Sequence, residues 1–153
     1  MWSTGTLLPV SNHLTNMWRK WNVSNLYLIR GLPGSGKSTF AETISDALNA
    51  QHFEHDRYLF TDEGEYLWTP KRMAYAYRQC LRDTEAAMAT GVDVVVSNVF
   101  PTAKAMKNYR KLAEKYEYRL TYAVVENRRG GVNVHDVPPE ALDDMRNAFQ
   151  VSL

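Results

Sequence analysis

The sequence predicts an α/β fold, in which a mostly parallel sheet of four or five strands is flanked by helices on both faces. Two observations lead to this prediction. Short apolar runs alternate along the chain with stretches whose apolar residues recur every three or four positions, as in strands and amphipathic helices. The length of 153 residues suits one domain. Strand–helix alternation favours a parallel sheet covered on both sides, and we predict one domain over residues 26–153 after an extension of residues 1–25.

The individual elements follow from apolar spacing and from residues that begin or end helices. Short apolar runs predict strands at Leu26–Ile29, His52–Glu54, Val92–Val96 and Leu120–Val125. A short packed helix is predicted in the extension, around Leu14, Trp18 and Trp21. Four further helices begin near Lys37, Thr69–Pro70, Thr102 and Pro138–Pro139, and the second of them ends near Gly91. Their predicted inner faces carry Phe40, Ile44 and Leu48; Met73, Tyr77, Cys80 and Leu81; Met106, Tyr109, Ala113 and Tyr116; and Leu142, Met145 and Phe149.

The composition argues against several classes of protein. Hydrophobic residues make up 44% and charged residues 23%, which is enough apolar material for one core and unlike a disordered chain. The 18 basic and 17 acidic residues nearly balance, which argues against a broad basic face for duplex DNA. Cys80 is the only cysteine, so no internal disulfide can form. We expect a cytoplasmic protein, because the sequence has no apolar run long enough for a membrane span and no signal-like leader.

The chemistry of the chain is concentrated in one loop. Directly after the first predicted strand the sequence reads GLPGSGKST, which fits the pattern G-x-x-x-x-G-K-[ST] between a strand and a helix. Glycines permit positive φ, so successive backbone N–H groups can face one anion. Lys37 can bridge β- and γ-phosphate oxygens, and Ser38 can ligate Mg²⁺. We therefore predict that ATP or another nucleoside triphosphate, with Mg²⁺, is bound by Gly31, Pro33, Gly34, Ser35, Gly36, Lys37, Ser38 and Thr39.

A phosphoryl acceptor should lie at the carboxyl ends of the strands, beside this loop. The segments HFEHDRY and VVVSN end there. Asp56 follows the second predicted strand, where its carboxylate could take a proton from an acceptor hydroxyl or orient the nucleophile. A helix N-cap or turn residue is the competing interpretation of Asp56. Arg57, Ser97 and Asn98 are the further candidates for contact with the acceptor.

Five segments together resemble a known family. GLPGSGKST, HFEHDRY, VVVSNVF, NYRKLAEKYEYRLTYAVVE and the VPPEALDDM helix are similar to small P-loop kinases of the polynucleotide 5′-hydroxyl kinase type. This group includes the kinase domains of bacteriophage polynucleotide kinase and of Nedd4-binding-protein-like proteins, with zeta toxins as more distant members. The resemblance extends from Leu26 to Phe149, and the combination of segments is more specific than the loop alone.

The resemblance implies roles for individual residues. Asp56 matches the general base that deprotonates the acceptor hydroxyl, and Lys37 and Ser38 match the phosphate and Mg²⁺ ligands. Members of the family also place an arginine on a lid between the fourth strand and the last helix, where it neutralises charge on the transferring group. Arg128 and Arg129 are the arginines of that segment here. A solvated loop is the competing interpretation for the pair.

The chain departs from the family pattern at three places. The family often has an acidic residue at the end of the third strand, where this chain has Ser97 and Asn98. In the viral enzyme, an arginine shortly after the general base contacts the acceptor's phosphate. The matching position in this chain is Leu59. The glycine pair between Arg129 and His135 also leaves the register of the lid open.

Loop and resemblance together predict an enzyme, a P-loop phosphotransferase that moves the γ-phosphate of ATP·Mg²⁺ to a hydroxyl of nucleic acid, first of all a polynucleotide 5′ end. Its partners would be a nucleoside triphosphate and a nucleic-acid end or nucleotide-like acceptor. Two alternatives stay open. The acceptor could be a nucleoside, a modified DNA base or a sugar nucleotide, or the chain could be a nucleotide-binding interaction or inhibitor module whose kinase chemistry has decayed.

Two groups of side chains have both a functional and a structural interpretation. Lys104, Lys107 and Lys111 share a helical face that could follow a nucleic-acid backbone or be an ordinary solvated face. Four aromatic residues around the acidic turn 61–65 could stack on an acceptor base or pack in the core, namely Tyr58, Phe60, Tyr66 and Trp68.

Overall fold

A computed structural model describes residues 23–126 and 137–151 of the chain. Four strands form one sheet in the described part: β1 (Asn25–Arg30), β2 (Gln51–Phe53), β3 (Val94–Asn98) and β4 (Arg119–Val124). The spatial order is β2-β3-β1-β4, and every neighbouring pair is parallel. The α/β prediction with a parallel sheet is confirmed, with four strands in the described residues.

The register brings the ends of the central strands together. In β1 and β3, Ile29 pairs with Ser97 and Arg30 pairs with Asn98. All five residues of β3 are buried, as expected for a strand covered on both faces. Because parallel strands end at the same edge, the loops after β1, β2 and β3 meet there.

Helices cover both faces of this sheet. The described helices are α1 (Lys37–Leu48), a 3₁₀ helix (His55–Leu59), α2 (Pro70–Ala89), α3 (Lys107–Lys115) and α4 (Pro139–Ala148). On one face, Ala41 of α1 packs against Ile29 and Val95. On the other face, residues of α2 and α3 pack against the strand residues that alternate with these. This layer includes Cys80 and Tyr109 of the helices and Leu28 and Val96 of the strands. Adjacent residues of one strand thus contribute to two different apolar layers.

The predicted inner face of α1 is wrong for two of its three residues. Phe40 and Leu48 are 42% and 43% exposed, whereas Ala41 and Ser45 are the buried residues of the helix. Small side chains let the helix lie close to the sheet, and this proximity places its first turn over the ends of the strands. Of the three predicted residues, Ile44 packs against the layer of Ile29, Ala41 and Val95, whereas Phe40 and Leu48 lie on the flank of the helix.

Two predicted boundaries are also wrong. β3 begins at Val94, two residues after the predicted start, because the Asp93 carboxylate accepts a hydrogen bond from the Asn25 backbone N–H at 2.7 Å and ends the turn before the strand. Helix α3 begins at Lys107 and not at Thr102. Residues 102–106 form turns instead, and the Thr102 hydroxyl accepts a hydrogen bond from the backbone N–H of Ala105 at 3.3 Å.

The predicted start of α2 matches the structure closely. The Thr69 hydroxyl accepts a hydrogen bond from the backbone N–H of Arg72 at 3.1 Å, and Pro70 occupies the first turn. Gly91 follows the end of the helix with φ at 82°. Within the described residues, no helix is long and apolar enough to cross a bilayer. The helix predicted around Leu14–Trp21 lies outside the described residues.

Candidate active site

The loop between β1 and α1 has the backbone that its sequence predicts. Gly34 and Gly36 have φ values of 77° and 86°, in the left-handed region that favours glycine. Gly36 is the N-cap of α1, and no side chain caps it. No acidic residue lies in the first turn of α1. The N–H groups and positive dipole end of this turn are thus left for an anionic ligand.

Gly31 allows a close contact beneath the loop. A Cβ at this position would lie 2.8 Å from the carbonyl oxygen of Val125 and would collide with the Ser35 hydroxyl. That hydroxyl is buried and has no hydrogen-bond partner in the described part of the chain. Gly31 and Ser35 therefore hold the base of the loop, while Pro33, Gly34, Gly36, Lys37, Ser38 and Thr39 line a cleft above it.

The cleft brings the predicted base to the predicted phosphate site. Its volume is about 1050 Å³, and Asp56 lines it together with Lys37 and Ser38. Burial lowers the pKa of Lys37, while the carboxylates of Asp56 and Glu54 act in the opposite direction. Lys37 is thus a partly desolvated cation facing two carboxylates, and phosphate oxygens would complete its environment.

A short hairpin positions a partner for Asp56. The backbone N–H of Thr61 donates to the Glu65 carbonyl at 2.8 Å, and the rings of Phe60 and Tyr66 stack edge to face across the turn. The Tyr66 hydroxyl then donates to Asp56 Oδ1 at 3.1 Å. Burial, followed by the nearby Asp56 charge, raises the pKa of Tyr66, which keeps the phenol protonated as a donor.

The walls of the cleft away from the phosphate loop are largely aromatic. Tyr66, Trp68, Tyr77 and Phe100 line it. The imidazole of His55 is buried behind them and packs edge to face on Tyr77 and Phe100, with ring centroids 5.6 and 6.3 Å away. Aromatic walls beside a polar floor suit a ligand with a flat ring and a charged group.

The remaining predicted acceptor residues have different surroundings. Asn98 lines the cleft, and its Oδ1 accepts a hydrogen bond from the backbone N–H of His55 at 2.8 Å. Ser97 is buried and bonds to His52 and Glu54. Arg57 donates from Nη1 to the His52 carbonyl at 2.8 Å, and it does not line the cleft. Arg128 and Arg129 lie outside the described residues.

Sequence reasoning missed Glu54. Its carboxylate lies next to Ser97 and contributes to the electrostatic environment of Lys37. The signal was its position: Glu54 and Asp56 are two carboxylates directly after β2, at the carboxyl edge of the sheet. Tyr66 was considered only as a stacking or core residue, and no sequence signal indicated its bond to Asp56.

The residues present fit Mg²⁺ bound together with a nucleotide. Within the described residues, no group of three or more His, Cys, Asp or Glu side chains could hold a metal alone. Mg²⁺ in nucleotide sites needs only a hydroxyl or one or two carboxylates, because phosphates and waters complete its shell. Ser38 and Asp56 both line the cleft, so a hydroxyl and a carboxylate are present beside Lys37.

A parallel sheet, a GLPGSGKST loop between β1 and α1 and a cleft above that loop define a kinase-like P-loop NTPase domain. The sequence model of a family described as an AAA domain (AAA_33) matches residues 26–151, and the chain belongs to that family. NEDD4-binding protein 2 of Homo sapiens is 27% identical over 137 residues, which are 82% of this chain. The chain spans only 8% of the length of that relative.

Three solved structures have a similar fold. A sugar kinase from Janibacter has a TM-score of 0.57 at 15% identity, with 85% of this chain and 80% of that chain covered. A chain of a Pnkp1/Rnl/Hen1 complex has a TM-score of 0.58 at 18% identity, with 86% and 42% covered. An APS kinase of Mycobacterium tuberculosis in complex with AMPPNP and APS has a TM-score of 0.51 at 19% identity, with 80% and 68% covered. The fold is that of P-loop kinases.

Proposed function

We propose that this protein is an ATP·Mg²⁺-dependent kinase that phosphorylates a hydroxyl of nucleic acid, namely the 5′ end of a polynucleotide. One observation carries the proposal. A carboxylate that follows β2, Asp56, lines the same cleft as Lys37 and Ser38 of the phosphate loop. Donor-binding groups and a candidate base thus share one space, which phosphoryl transfer between two bound molecules requires.

On the donor side, the chain supplies a backbone cradle and the cation of Lys37. The uncapped first turn of α1 offers N–H groups to phosphate oxygens, and Lys37 reaches the terminal phosphates from the same turn. Ser38 would hold the metal, which when bound neutralises charge on the terminal phosphates. AMPPNP in the solved APS kinase supports ATP as the donor.

On the acceptor side, Asp56 accepts the proton of the attacking hydroxyl. The Tyr66 hydroxyl holds Oδ1, and this hydrogen bond fixes the orientation of the carboxylate before the acceptor arrives. As the hydroxyl oxygen attacks the γ-phosphorus, its proton passes to Asp56 and the bond to the β–γ bridging oxygen breaks. The products are the phosphorylated acceptor and ADP, and Arg128 or Arg129 would close over the transferring group.

Two features of the cleft support a nucleic-acid acceptor. Its aromatic walls suit a base, since a stacked base contributes about 1–3 kcal/mol. Lys104 lines the rim, and the neighbouring Lys107, Arg110 and Lys111 are exposed and make no ion pair with any described residue. Such cations could contact the phosphates of a strand that leaves the cleft. The similarity to a chain of the Pnkp1/Rnl/Hen1 complex supports the same class.

A smaller acceptor is the second candidate. The cleft volume of about 1050 Å³ is close to that of pockets for small ligands, and a sugar kinase and an APS kinase share the fold. Incubation with γ-labelled ATP and 5′-hydroxyl DNA, 5′-hydroxyl RNA, nucleosides, sugar nucleotides and modified DNA separates the two. Label on an oligonucleotide end supports the proposal, and label only on a small molecule supports the second candidate. ATP binding without any labelled acceptor indicates a decayed binding module.

The role of Asp56 is tested by Asp56→Asn. We expect ATP affinity within about twofold of wild type and turnover lower by at least about 100-fold, because the amide cannot accept the proton. Calorimetry measures the affinity, and the labelling assay measures the rate. Asp46→Asn, which changes an exposed carboxylate of α1, is the matched control and should leave both values unchanged. Equal loss of binding and rate in Asp56→Asn would make Asp56 a metal ligand or a structural residue instead.

A further inference from the structure

Helices α2 and α3 lie side by side, and two polar contacts join them. Asn108 Nδ2 donates to the Tyr77 hydroxyl at 2.7 Å, and Lys115 Nζ donates to Glu85 Oε1 at 2.6 Å. Each helix connects two parallel strands, so each runs from the carboxyl edge of the sheet back to the amino edge. The α2–α3 boundary, the line from the first contact to the second, therefore begins at the cleft, which Tyr77 lines.

The exposed charges beside this boundary are basic where it leaves the cleft. Arg78 precedes Glu85 by seven residues, which is two helical turns, so the two share one flank of α2. Lys111 precedes Lys115 by four residues and shares its flank of α3. Lys104 lines the cleft where the boundary begins. Arg78, Lys104 and Lys111 are exposed and form no ion pair with any residue in the described ranges.

The carboxylates of the same two helices do not neutralise these cations. Glu85 is bonded to Lys115, and it also accepts from the Tyr116 hydroxyl at 3.2 Å. Asp83 accepts from the Tyr58 hydroxyl of the 3₁₀ helix at 2.8 Å, on the other side of α2. Glu114 lies about 100° around α3 from Lys115. The positive charge along the boundary thus ends at the Glu85–Lys115 pair.

Another rim of the cleft carries the opposite charge. Asp62, Glu63 and Glu65 are exposed in the turn of the 60–66 hairpin, which follows β2, the edge strand of the described sheet. Lys104 follows β3, an inner strand. The net charge of the whole chain is only +1, so local charge decides where a polyanion can lie. A polyanion that leaves the cleft is repelled by the hairpin and attracted along the α2–α3 boundary.

We propose that the α2–α3 boundary binds the phosphates of a single nucleic-acid strand whose 5′ end occupies the cleft. The inference rests on the proposed function, because it takes the acceptor to be a polynucleotide. Lys104 contacts the phosphate nearest the cleft, and Arg78 and Lys111 contact the following phosphates from the two helices. The terminal base stacks on the aromatic walls, which requires an unpaired end. Contacts to phosphates carry no sequence information, so the strand is bound through charge and stacking.

Salt dependence of binding tests these contacts without any phosphoryl transfer. The probes are 5′-phosphorylated dodecamers of thymidine or of uridine with a fluorophore at the 3′ end, since they have no 5′-hydroxyl to accept a phosphate. Fluorescence anisotropy gives the binding constant at several salt concentrations. For a single strand, the slope of log K against log salt changes by about 0.7 for each phosphate contact.

Two variants and a matched control measure the contribution of the boundary. We expect Arg78→Gln and Lys111→Gln each to reduce the magnitude of the slope by about 0.7, and the double variant to reduce it by about 1.4, with weaker binding at low salt. Arg119→Gln removes the same charge from an exposed residue at the start of β4, on the opposite edge of the sheet, and should leave the slope unchanged. Circular dichroism establishes that each variant is folded.

Three outcomes overturn the inference. An unchanged slope in the double variant would show that the strand does not follow the boundary. An equal change in Arg119→Gln would show that only the overall charge of the protein matters. A blunt duplex of the same length that binds as tightly as the single strand would contradict an unpaired end in the cleft.

Acceptor length provides a second measurement. For 5′-hydroxyl acceptors we expect KM to fall from a mononucleotide to a dodecamer, because only the longer strand reaches Arg78 and Lys111. The ratio of the two KM values should move toward one in the double variant and stay as in wild type in Arg119→Gln. A ratio that the double variant leaves unchanged would contradict the inference.

The two proposals can fail separately. If the slopes change as expected but no oligonucleotide is labelled by γ-labelled ATP, the proposed function fails while the nucleic-acid surface stands. If oligonucleotides are labelled and the slopes do not change, the proposed function stands and the boundary is an ordinary solvated surface.

Discussion

His55 is a histidine that the fold keeps uncharged. The residue is 9% exposed, and its ring packs edge to face against Tyr77 and Phe100. Its Nε2 lies 3.5 Å from the Tyr109 hydroxyl. Burial lowers the pKa of His55 to about 4, although the charge of Glu54 acts in the opposite direction.

The stability of the protein should therefore depend on the protonation of His55. In the unfolded chain a histidine takes up its proton near pH 6.5, whereas in the folded chain His55 resists protonation down to about pH 4. The unfolded state thus binds more protons below pH 6.5, and stability falls as the pH falls through this window. We expect a loss of up to about 1.4 kcal/mol per pH unit from this one group.

Urea denaturation at pH 7.5, 6.0 and 5.0 measures this dependence. His55→Gln removes the titrating group, so its stability should change less between pH 7.5 and 5.0 than that of wild type, even where the variant is less stable throughout. Parallel curves for the two proteins would show that His55 contributes nothing to the pH dependence.

At the scale of single residues, a sequence predicts best those site residues that lie next to one another along the chain. The eight predicted nucleotide-binding residues lie between Gly31 and Thr39, so a local pattern is enough to predict them. Glu54 and Ser97 are 43 positions apart and meet only through the pairing of β2 with β3. The bond between Tyr66 and Asp56 likewise depends on a hairpin whose geometry no apolar pattern encodes.

Among the elements, α2 has the most complete local signals. Thr69 accepts from the Arg72 N–H, Pro70 fixes the first turn, and Gly91 follows the end of the helix. Its start could therefore be predicted to the residue. Helix α1 could be located but not fully oriented, because its buried residues are the small Ala41 and Ser45, and of the larger apolar residues Ile44 packs on the core while Phe40 and Leu48 are exposed.

The cap of α2 gives a prediction for stability. Thr69→Ala leaves the Arg72 N–H without its side-chain acceptor, and we expect the free energy of unfolding to fall by about 1 kcal/mol. Urea denaturation measures the change. Thr69→Ser keeps the hydroxyl and should retain most of the stability, and an equal loss in the two variants would mean that the methyl group, not the cap, matters.

Across the whole molecule, Arg30 joins parts that are far apart in sequence. This buried residue ends β1 and precedes the phosphate loop. Its Nε donates to the Phe100 carbonyl at 2.9 Å and its Nη2 to the Gln150 carbonyl at 2.7 Å, while its guanidinium lies 4.9 Å from the centre of the Phe149 ring. The segment after α4 is thus fixed to the centre of the sheet.

Loss of the Arg30 contacts should increase the rate of hydrogen exchange in α4. Arg30→Lys keeps the charge but cannot donate in two directions from a planar group, so we expect faster hydrogen exchange over residues 139–151 and a stability loss of about 2 kcal/mol. Mass spectrometry of deuterated peptides measures the exchange. Arg82→Lys, whose side chain is 72% exposed, is the control and should leave exchange unchanged. Unchanged exchange in Arg30→Lys would show that α4 is held by other contacts.

The fold as a whole was accessible from sequence because alternating strands and helices permit few arrangements. The complete cleft could not be predicted, since it is assembled from the loops after β1, β2 and β3, from the 60–66 hairpin and from α4. Apart from the loop after β1, each of these segments gives a weak signal by itself. Their common location follows from the parallel register, which sequence periodicity does not specify.

Trp68 is an intrinsic fluorescent probe of the cleft. It lines the cleft and is 58% exposed, and no other tryptophan lies in the described residues. A nucleobase stacked on its indole would displace water and alter its emission, whereas a triphosphate held at the phosphate loop would leave the ring in solvent. Occupancy of the two halves of the cleft can thus be distinguished by fluorescence, without any label on the ligand.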